Sequence, residues 1–168
     1  VVTGCYAQTV PGEVSAIEGV NLVIGTKDRG EIVHLAEELT VKDQVCRVGD
    51  ILHTHDFEAL SISGCNERTR AYIKVQEGCS QFCSYCIIPY ARGPVRSRAA
   101  DEVAAEAERL AGAGYSELVL VGIHIASYGK DIGDTDLAGM IRRIDSLDGL
   151  RRIRLSSIEP MTLDESFI

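Results

Sequence analysis

Ala71-Tyr72-Ile73-Lys74-Val75-Gln76-Glu77-Gly78-Cys79-Ser80-Gln81-Phe82-Cys83-Ser84-Tyr85-Cys86 is the stretch that decides the fold. The run from Ala71 is strand-like, and it feeds a loop whose cysteines read C-x3-C-x2-C. Three thiolates are one short of the four that a structural zinc or a fully ligated iron–sulfur cluster takes. A four-iron cluster held by three cysteines keeps one iron open to a small molecule. Zinc is the rival occupant, with Cys65 or His124 as the fourth ligand. An aromatic residue, Tyr85, stands immediately before the last cysteine.

Outward on the C-terminal side, a strand–loop–helix unit repeats. A helix is expected from about Ala99 to Ala111, with Val103, Ala107, Leu110 and Ala111 on one face and Gly112 and Gly114 ending it. Glu117 to Val121 is an apolar second strand of the kind buried on both faces. Asp134 to Leu147 reads as an amphipathic helix with Leu137, Ile141 and Ile144 inward, and Gly149 stops it. Arg152 to Ser156 is the third strand. Strands joined by helices imply a parallel sheet, whose functional groups gather at the strands' C-terminal ends. The cysteine loop, Gly122-Ile123-His124 and Ser157-Ile158-Glu159-Pro160 each follow a strand, so all three are expected on one rim.

On the N-terminal side the chain reads as a smaller α/β arrangement. Val1 to Gly4 is a strand end, Pro11 to Glu18 a short helix opened by proline, and Leu22 to Ile24 a second strand. Asp28 and Glu31 have the spacing of a capping box before a helix with Ile32, Leu35, Ala36 and Leu39 on one face. Val41 to Val48 reads as a strand, and His53 to Asp56 and Ser61 to Gly64 as loop. A domain boundary is expected after residue 66. Val1 lies inside a strand-like segment and Ile168 just follows a Pro160-Met161 connector, so both ends read as cut from a longer protein.

Charge is uneven. Residues 1–66 carry ten acids and four bases, and residues 67–168 carry fifteen acids and thirteen bases. The net charge of −8 argues against non-specific nucleic-acid binding. Between Gly78 and Ala100, however, there are no acids, and Arg92, Arg96 and Arg98 make a local basic strip. That strip either meets a phosphate backbone or pairs with carboxylates elsewhere. No apolar run approaches the roughly 18 residues of a membrane span. The crowding of cysteines suits metal better than disulfides, and a reducing cytoplasm is the expected setting.

A longer motif carries a resemblance. Gln76-Glu77-Gly78-Cys79 through Cys86-Ile87-Ile88-Pro89-Tyr90-Ala91-Arg92-Gly93-Pro94-Val95-Arg96-Ser97-Arg98 resembles the radical S-adenosylmethionine (SAM) methylthiotransferases. Gly122-Ile123-His124-Ile125-Ala126-Ser127-Tyr128-Gly129 and Arg154-Leu155-Ser156-Ser157-Ile158-Glu159-Pro160 are most similar to the tRNA threonylcarbamoyladenosine branch. The resemblance implies the end of a small α/β N-terminal domain over residues 1–66, then the first half of a partial (β/α) radical SAM barrel over 67–168. It implies two [4Fe-4S] clusters and SAM as cofactors. Cys79, Cys83 and Cys86 would hold the SAM-binding cluster, whose open iron chelates the amino acid part of SAM and whose electron yields a 5′-deoxyadenosyl radical. Tyr85 would help place the adenine, and Gly122 would leave backbone bare for the SAM amine. Cys5, in Thr3-Gly4-Cys5-Tyr6-Ala7-Gln8, matches the last of three auxiliary-cluster ligands, the other two lying upstream of Val1.

The implied product is a 2-methylthio group on the adenosine beside the anticodon, with a tRNA anticodon stem-loop and a cellular electron donor as partners and a monomer as the expected state. Isopentenyladenosine in tRNA and an aspartate of a ribosomal protein are alternative substrates of the same chemistry. A zinc-stabilised RNA-binding module is the rival from another class. The piece alone is expected to be inactive.

Other groups are read by themselves. Glu159 would take a ribose hydroxyl or the SAM amine, or else cap a strand end. His124 is a candidate contact near the rim. Cys46 and Cys65 read as ordinary thiols, His53 and His55 as loop residues, and His34 as structural beside an apolar stripe. Arg152 and Arg154 should point to the same face.

Overall fold

Parallel strands cannot be joined by tight turns, and both three-stranded sheets in the computed structural model are parallel, with helical or long connections between their strands. The structure describes residues 1–40, 42–60, 69–159 and 167. In chain order the elements are β1 (Val2–Thr3), α1 (Cys5–Thr9), α2 (Pro11–Ser15), β2 (Leu22–Ile24), α3 (Ile32–Glu38), β3 (Val45–Arg47), β4 (Arg70–Lys74), β5 (Gln76–Glu77), α4 (Ile88–Arg92), β6 (Arg96–Ser97), α5 (Ala100–Gly112), β7 (Glu117–Val121), α6 (Leu137–Asp145) and β8 (Arg152–Leu155). They form two compact units. One comprises Val1–Leu60 and Cys79–Pro94, the other Ser61–Gly78 and Val95–Ile168. The cysteine loop therefore groups with the N-terminal residues, while the strand that feeds it groups with the C-terminal ones. The boundary expected after residue 66, the Ser61 to Gly64 loop, Cys65 and the Pro160-Met161 connector lie outside the described residues.

The first unit is built on the sheet β1-β2-β3. All three residues of β2 are buried, as a central strand requires, and Val23 packs with Ala7 of α1 and Val14 of α2. Helix α1 begins directly after Gly4, whose φ of 114° turns the chain out of β1. The expected helix over Pro11 to Glu18 is shorter, ending at Ser15, and α1 precedes it. The capping box at Asp28 is not formed. Asp28 is left-handed at φ 58° and makes no side-chain cap, and a 3-10 turn over Arg29–Glu31 opens α3 instead. His34 is a correction too. It is exposed, paired along α3 with Glu38 at 3.6 Å, because no residue of that helix is fully buried.

The second unit is built on the parallel sheet β4-β7-β8. Its register sets Arg70, Glu117 and Arg152 in one row and Tyr72, Val119 and Arg154 in the next. Alternation then sends Ala71, Ile73, Leu118 and Leu120 to the opposite face, where they join Val103, Ala107 and Leu110 of α5 and Leu137, Met140 and Ile144 of α6 in one core. Each buried Val, Leu, Ile or Met side chain among them contributes about 1.5–3 kcal/mol on burial. Helix α5 matches its expected span to within a residue, since Val103, Ala107 and Leu110 repeat at helical spacing. Helix α6 starts later than Asp134 because Asp136 is its cap, accepting Gly139 N–H at 2.7 Å. A two-stranded antiparallel pair, β5 with β6, closes on the same unit.

Candidate functional site

The cysteine loop is fixed at both ends by main-chain bonds. Cys79 N–H donates to Gly93 O at 3.0 Å, and Cys86 N–H donates to Cys83 O at 2.9 Å, closing the C-x2-C half into a turn. Phe82 sits left-handed at φ 47° just before Cys83. A non-glycine residue in that region costs about 1–2 kcal/mol. Its ring meets Tyr90 edge-on, with centroids 5.7 Å apart, a contact that offsets part of the cost. Cys79 is buried, Cys86 half-buried and Cys83 exposed, and all three are free thiols. Tyr85, at 92% exposure, presents its whole ring to solvent.

Among the described residues no group of three or more His, Cys, Asp or Glu side chains converges closely enough to hold a metal ion. The chemistry of the donors is nevertheless that of a soft centre. Three free thiols lie within eight residues, and no carboxylate occurs between Gly78 and Ala100. The donor set fits a cluster that draws its ligands together as it binds.

Helix α4, which follows the loop, packs against α1. Thr26 Oγ1, just past the end of β2, donates to Ala91 O at 2.6 Å. Thr26 N–H in turn donates to Gln8 Oε1 at 2.9 Å. Arg92 Nε–H reaches Cys5 Sγ at 3.1 Å. Cys5, at the start of α1, is half-buried.

In the second unit the strand-end rim is organised by Gln76, which is fully buried. Its Nε2 donates to Glu77 O at 2.8 Å and Gly78 O at 2.7 Å, and its Oε1 accepts His124 N–H at 2.8 Å. A Cβ on Gly122 would stand 2.8 Å from Gln76 Oε1 and 3.0 Å from Gln76 Cβ. The bareness of Gly122 is thus taken up by Gln76. His124 is buried, with Nδ1 2.7 Å from Ser127 Oγ and Nε2 3.0 Å from Glu159 Oε2. His124 and Glu159 line a cavity of about 150 Å³ with Ile123, Ala126, Ser157 and Ile158. The Glu159 side chain is 59% exposed, with its carboxylate oriented by the histidine.

Buried charge stands beside this rim. Glu77 takes Lys74 Nζ at 2.8 Å and lies 4.0 Å from Arg96 Nη2. Arg98 pairs with Glu102 at 3.3 Å and with Glu106. Two of the three arginines of the basic strip are thus engaged by carboxylates, and the third reaches Cys5. On the face of the sheet opposite α5 and α6, Arg152 and Arg154 share Glu117 at 3.2 and 3.1 Å, with Arg70 at 3.8 Å. Burial pushes the Glu117 carboxyl up, but Arg154, Arg70 and Arg152 together hold it below its ordinary value. His53 is occupied by Asp50 at 2.6 Å, and that bond holds the Asp50 carboxyl low.

Sequence reasoning passed over Gln76 and the Arg92–Cys5 contact. A polar residue before Glu77-Gly78 was the available signal for the first; nothing local signals the second.

Residues 73–167 match the Radical SAM superfamily. The chain is 43% identical over 169 residues to the threonylcarbamoyladenosine tRNA methylthiotransferase MtaB of Bacillus subtilis, covering 99% of this chain and 38% of the relative. It is 35% identical to the protein of the same name from Aquifex aeolicus, covering 100% of this chain and 41% of the relative. It is 39% identical to the ribosomal protein uS12 methylthiotransferase RimO of Trichlorobacter lovleyi, covering 100% of this chain and 38% of the relative. The chain spans about two fifths of the length of these curated relatives.

Proposed function

Because this chain belongs to the radical SAM superfamily, we propose that it is part of a methylthiotransferase acting on threonylcarbamoyladenosine beside the anticodon of tRNA. The observation that carries this reading is the C-x3-C-x2-C loop leaving the first strand of a parallel α/β sheet. The 43% identity to a tRNA methylthiotransferase supports the substrate. Cys79, Cys83 and Cys86 would hold a [4Fe-4S] cluster and leave one iron without a protein ligand. Such a cluster, once reduced by a cellular electron donor, would supply the one electron needed to cleave the sulfonium bond of SAM.

The chain's own residues do the positioning. The Cys79–Gly93 and Cys86–Cys83 main-chain bonds fix the ends of the loop that presents the thiolates. Tyr85 offers an exposed aromatic face suited to an adenine. Glu159, held at 3.0 Å by His124, offers a carboxylate to an amine or a ribose hydroxyl. Gln76 braces the backbone around Gly122 against movement. Cys5 would be one ligand of a second, sulfur-carrying [4Fe-4S] cluster. A cellular electron donor and a cytoplasmic setting complete the reading, and no helix among the described residues is long and apolar enough to cross a membrane.

The 39% identity to a uS12 methylthiotransferase gives the second reading, the same chemistry on a ribosomal protein. Deleting the gene and digesting bulk tRNA for mass spectrometry separates the two. The account expects loss of the 2-methylthio form of threonylcarbamoyladenosine and an unchanged mass for ribosomal protein uS12. An intact tRNA nucleoside profile with a lighter uS12 would establish the second reading instead.

A further inference from the structure

We propose that Ser127 and His124 are positioning residues for Glu159, holding its carboxylate in the strand-end cavity as the acceptor for an N–H or O–H donor of the ligand. The proposal rests on the functional reading above and goes beyond it, because it traces the orientation of the acceptor to a chain of hydrogen bonds and gives Ser127 a role.

The three side chains touch in series. Ser127 Oγ lies 2.7 Å from His124 Nδ1, and His124 Nε2 lies 3.0 Å from Glu159 Oε2. The histidine end is the fixed one. His124 is 8% exposed and Ser127 4%. His124 N–H donates to Gln76 Oε1 at 2.8 Å. Ser127 N–H donates to His124 O at 2.9 Å within the 3-10 turn Ile125–Ser127. Main chain and side chain therefore tie the serine to the histidine twice. Glu159 lies beyond the end of β8, and its side chain is 59% exposed. An anchored imidazole beside an exposed carboxylate gives the contact its direction: the histidine orients the glutamate.

The contacts also fix where the imidazole proton lies. An ionised carboxylate only accepts hydrogen bonds, so the 3.0 Å contact needs a proton on Nε2. A proton on Nδ1 alone would set the Nε2 lone pair against the carboxylate. A serine hydroxyl both donates and accepts, so Ser127 partners Nδ1 with or without a proton there. It serves the second ring nitrogen without drawing the Nε2 proton away from Glu159. A carboxylate has about four lone-pair positions, so the bond from His124 does not exhaust its capacity. Such an acceptor recognises an amine or a hydroxyl. The cavity is about 150 Å³, with Ile123, Ala126 and Ile158 as its apolar walls. That is below the roughly 300–1,000 Å³ of pockets that enclose a drug-sized ligand, so it suits one polar group of a ligand held mostly outside it.

Two measurements on the intact protein test this. Nitrogen-15 resonances of labelled histidine, with His124 identified by its loss in His124→Gln, should show a protonated Nε2. An unprotonated Nε2 overturns the proposal. Affinity is then measured for SAM, on protein loaded anaerobically with iron and sulfide, and for an anticodon stem-loop RNA. Glu159→Ala and His124→Leu should each weaken the same one of these ligands by about tenfold, the lower end of what a hydrogen bond to a charged group contributes. The double variant should be no weaker than Glu159→Ala alone, because the histidine acts only through the glutamate. His124→Gln, which keeps an N–H donor, should lie closer to the parent than His124→Leu. A loss for SAM places the donor on its amine or ribose, and a loss for the stem-loop places it on the RNA. Unchanged affinity for both ligands in His124→Leu, or losses that add in the double variant, overturn the proposal. If His124→Leu does not fold, unchanged affinities in Ser127→Ala do so. When the parent binds its ligands and only these variants fail to respond, the functional reading stands without the relay; a parent that binds neither ligand defeats both.

Discussion

Gly122 and Gln76 show how a site is built from a missing side chain. The glycine lets the glutamine lie flat against the end of β7 and make three hydrogen bonds inside the strand-end rim. Gly122→Ala forces a methyl to within 2.8 Å of a buried amide oxygen. It should destabilise the fold by about 1–3 kcal/mol in urea unfolding. Combining it with Gln76→Ala removes the nearest contact, the one to Oε1, while the Cβ of residue 76 stays at 3.0 Å, so the double variant should lose less than the sum of the singles; strict additivity would contradict the contact. The cysteines were legible because their chemistry lies in spacing that the chain displays along its length. Gln76 was not, because its role depends on a glycine 46 residues further on. His124 was seen as a candidate, but its bonds to Ser127 and Glu159 needed coordinates. Cys5 was legible only through a family motif, and its arginine partner lies 87 residues away.

At the scale of elements, the sheet β4-β7-β8 and helices α5 and α6 followed their hydrophobic periods closely. Helices α5 and α6 each bury one face, and β7 buries Leu118, Val119 and Leu120 on both of its faces, as its unbroken apolar run implies, so sequence and tertiary packing agree. The short pieces α1, α4, β5 and β6 escaped notice, since elements of two to five residues carry too little period to read. What holds them is specific bonding. Tyr128, in the loop after β7, donates its hydroxyl to Arg98 O at 2.8 Å just past β6, and Asp131 accepts Ser97 N–H at 2.7 Å. Burial, with Asp134 and Asp131 adding to it, pushes the Tyr128 phenol up to about 12. The folded state keeps a proton that the unfolded phenol releases near pH 10. Stability from this group is therefore complete below about pH 10 and is lost as pH rises through about 12, a fall of up to about 3 kcal/mol. Urea unfolding at pH 8 and pH 11 should show it, and Tyr128→Phe should flatten that alkaline loss. An equal fall in both proteins would assign it to other groups.

For the whole molecule, the division into two units places Cys5 and the loop of Cys79, Cys83 and Cys86 in the same compact body. The strand-end rim with Gly122, His124 and Glu159 belongs to the other. Sequence reasoning put the cysteine loop with the strand that feeds it, because chain continuity is what a sequence displays. The Thr26–Ala91 and Cys5–Arg92 contacts that draw the loop to the N-terminal sheet join residues 65 and 87 positions apart. The acidic chain also hides its basic strip well. Arg96 and Arg98 are paired with Glu77, Glu102 and Glu106 within their own unit.

The central claim is that three protein thiolates hold a cluster with one iron left for SAM. Electron paramagnetic resonance of the intact, anaerobically reconstituted and reduced protein tests it most directly, with and without SAM. The account predicts a [4Fe-4S] signal with a component that changes shape on adding SAM; that component and its SAM response disappear in Cys83→Ala, while the signal of the second cluster remains. A colourless protein carrying one zinc, or a cluster signal indifferent to SAM, would contradict it.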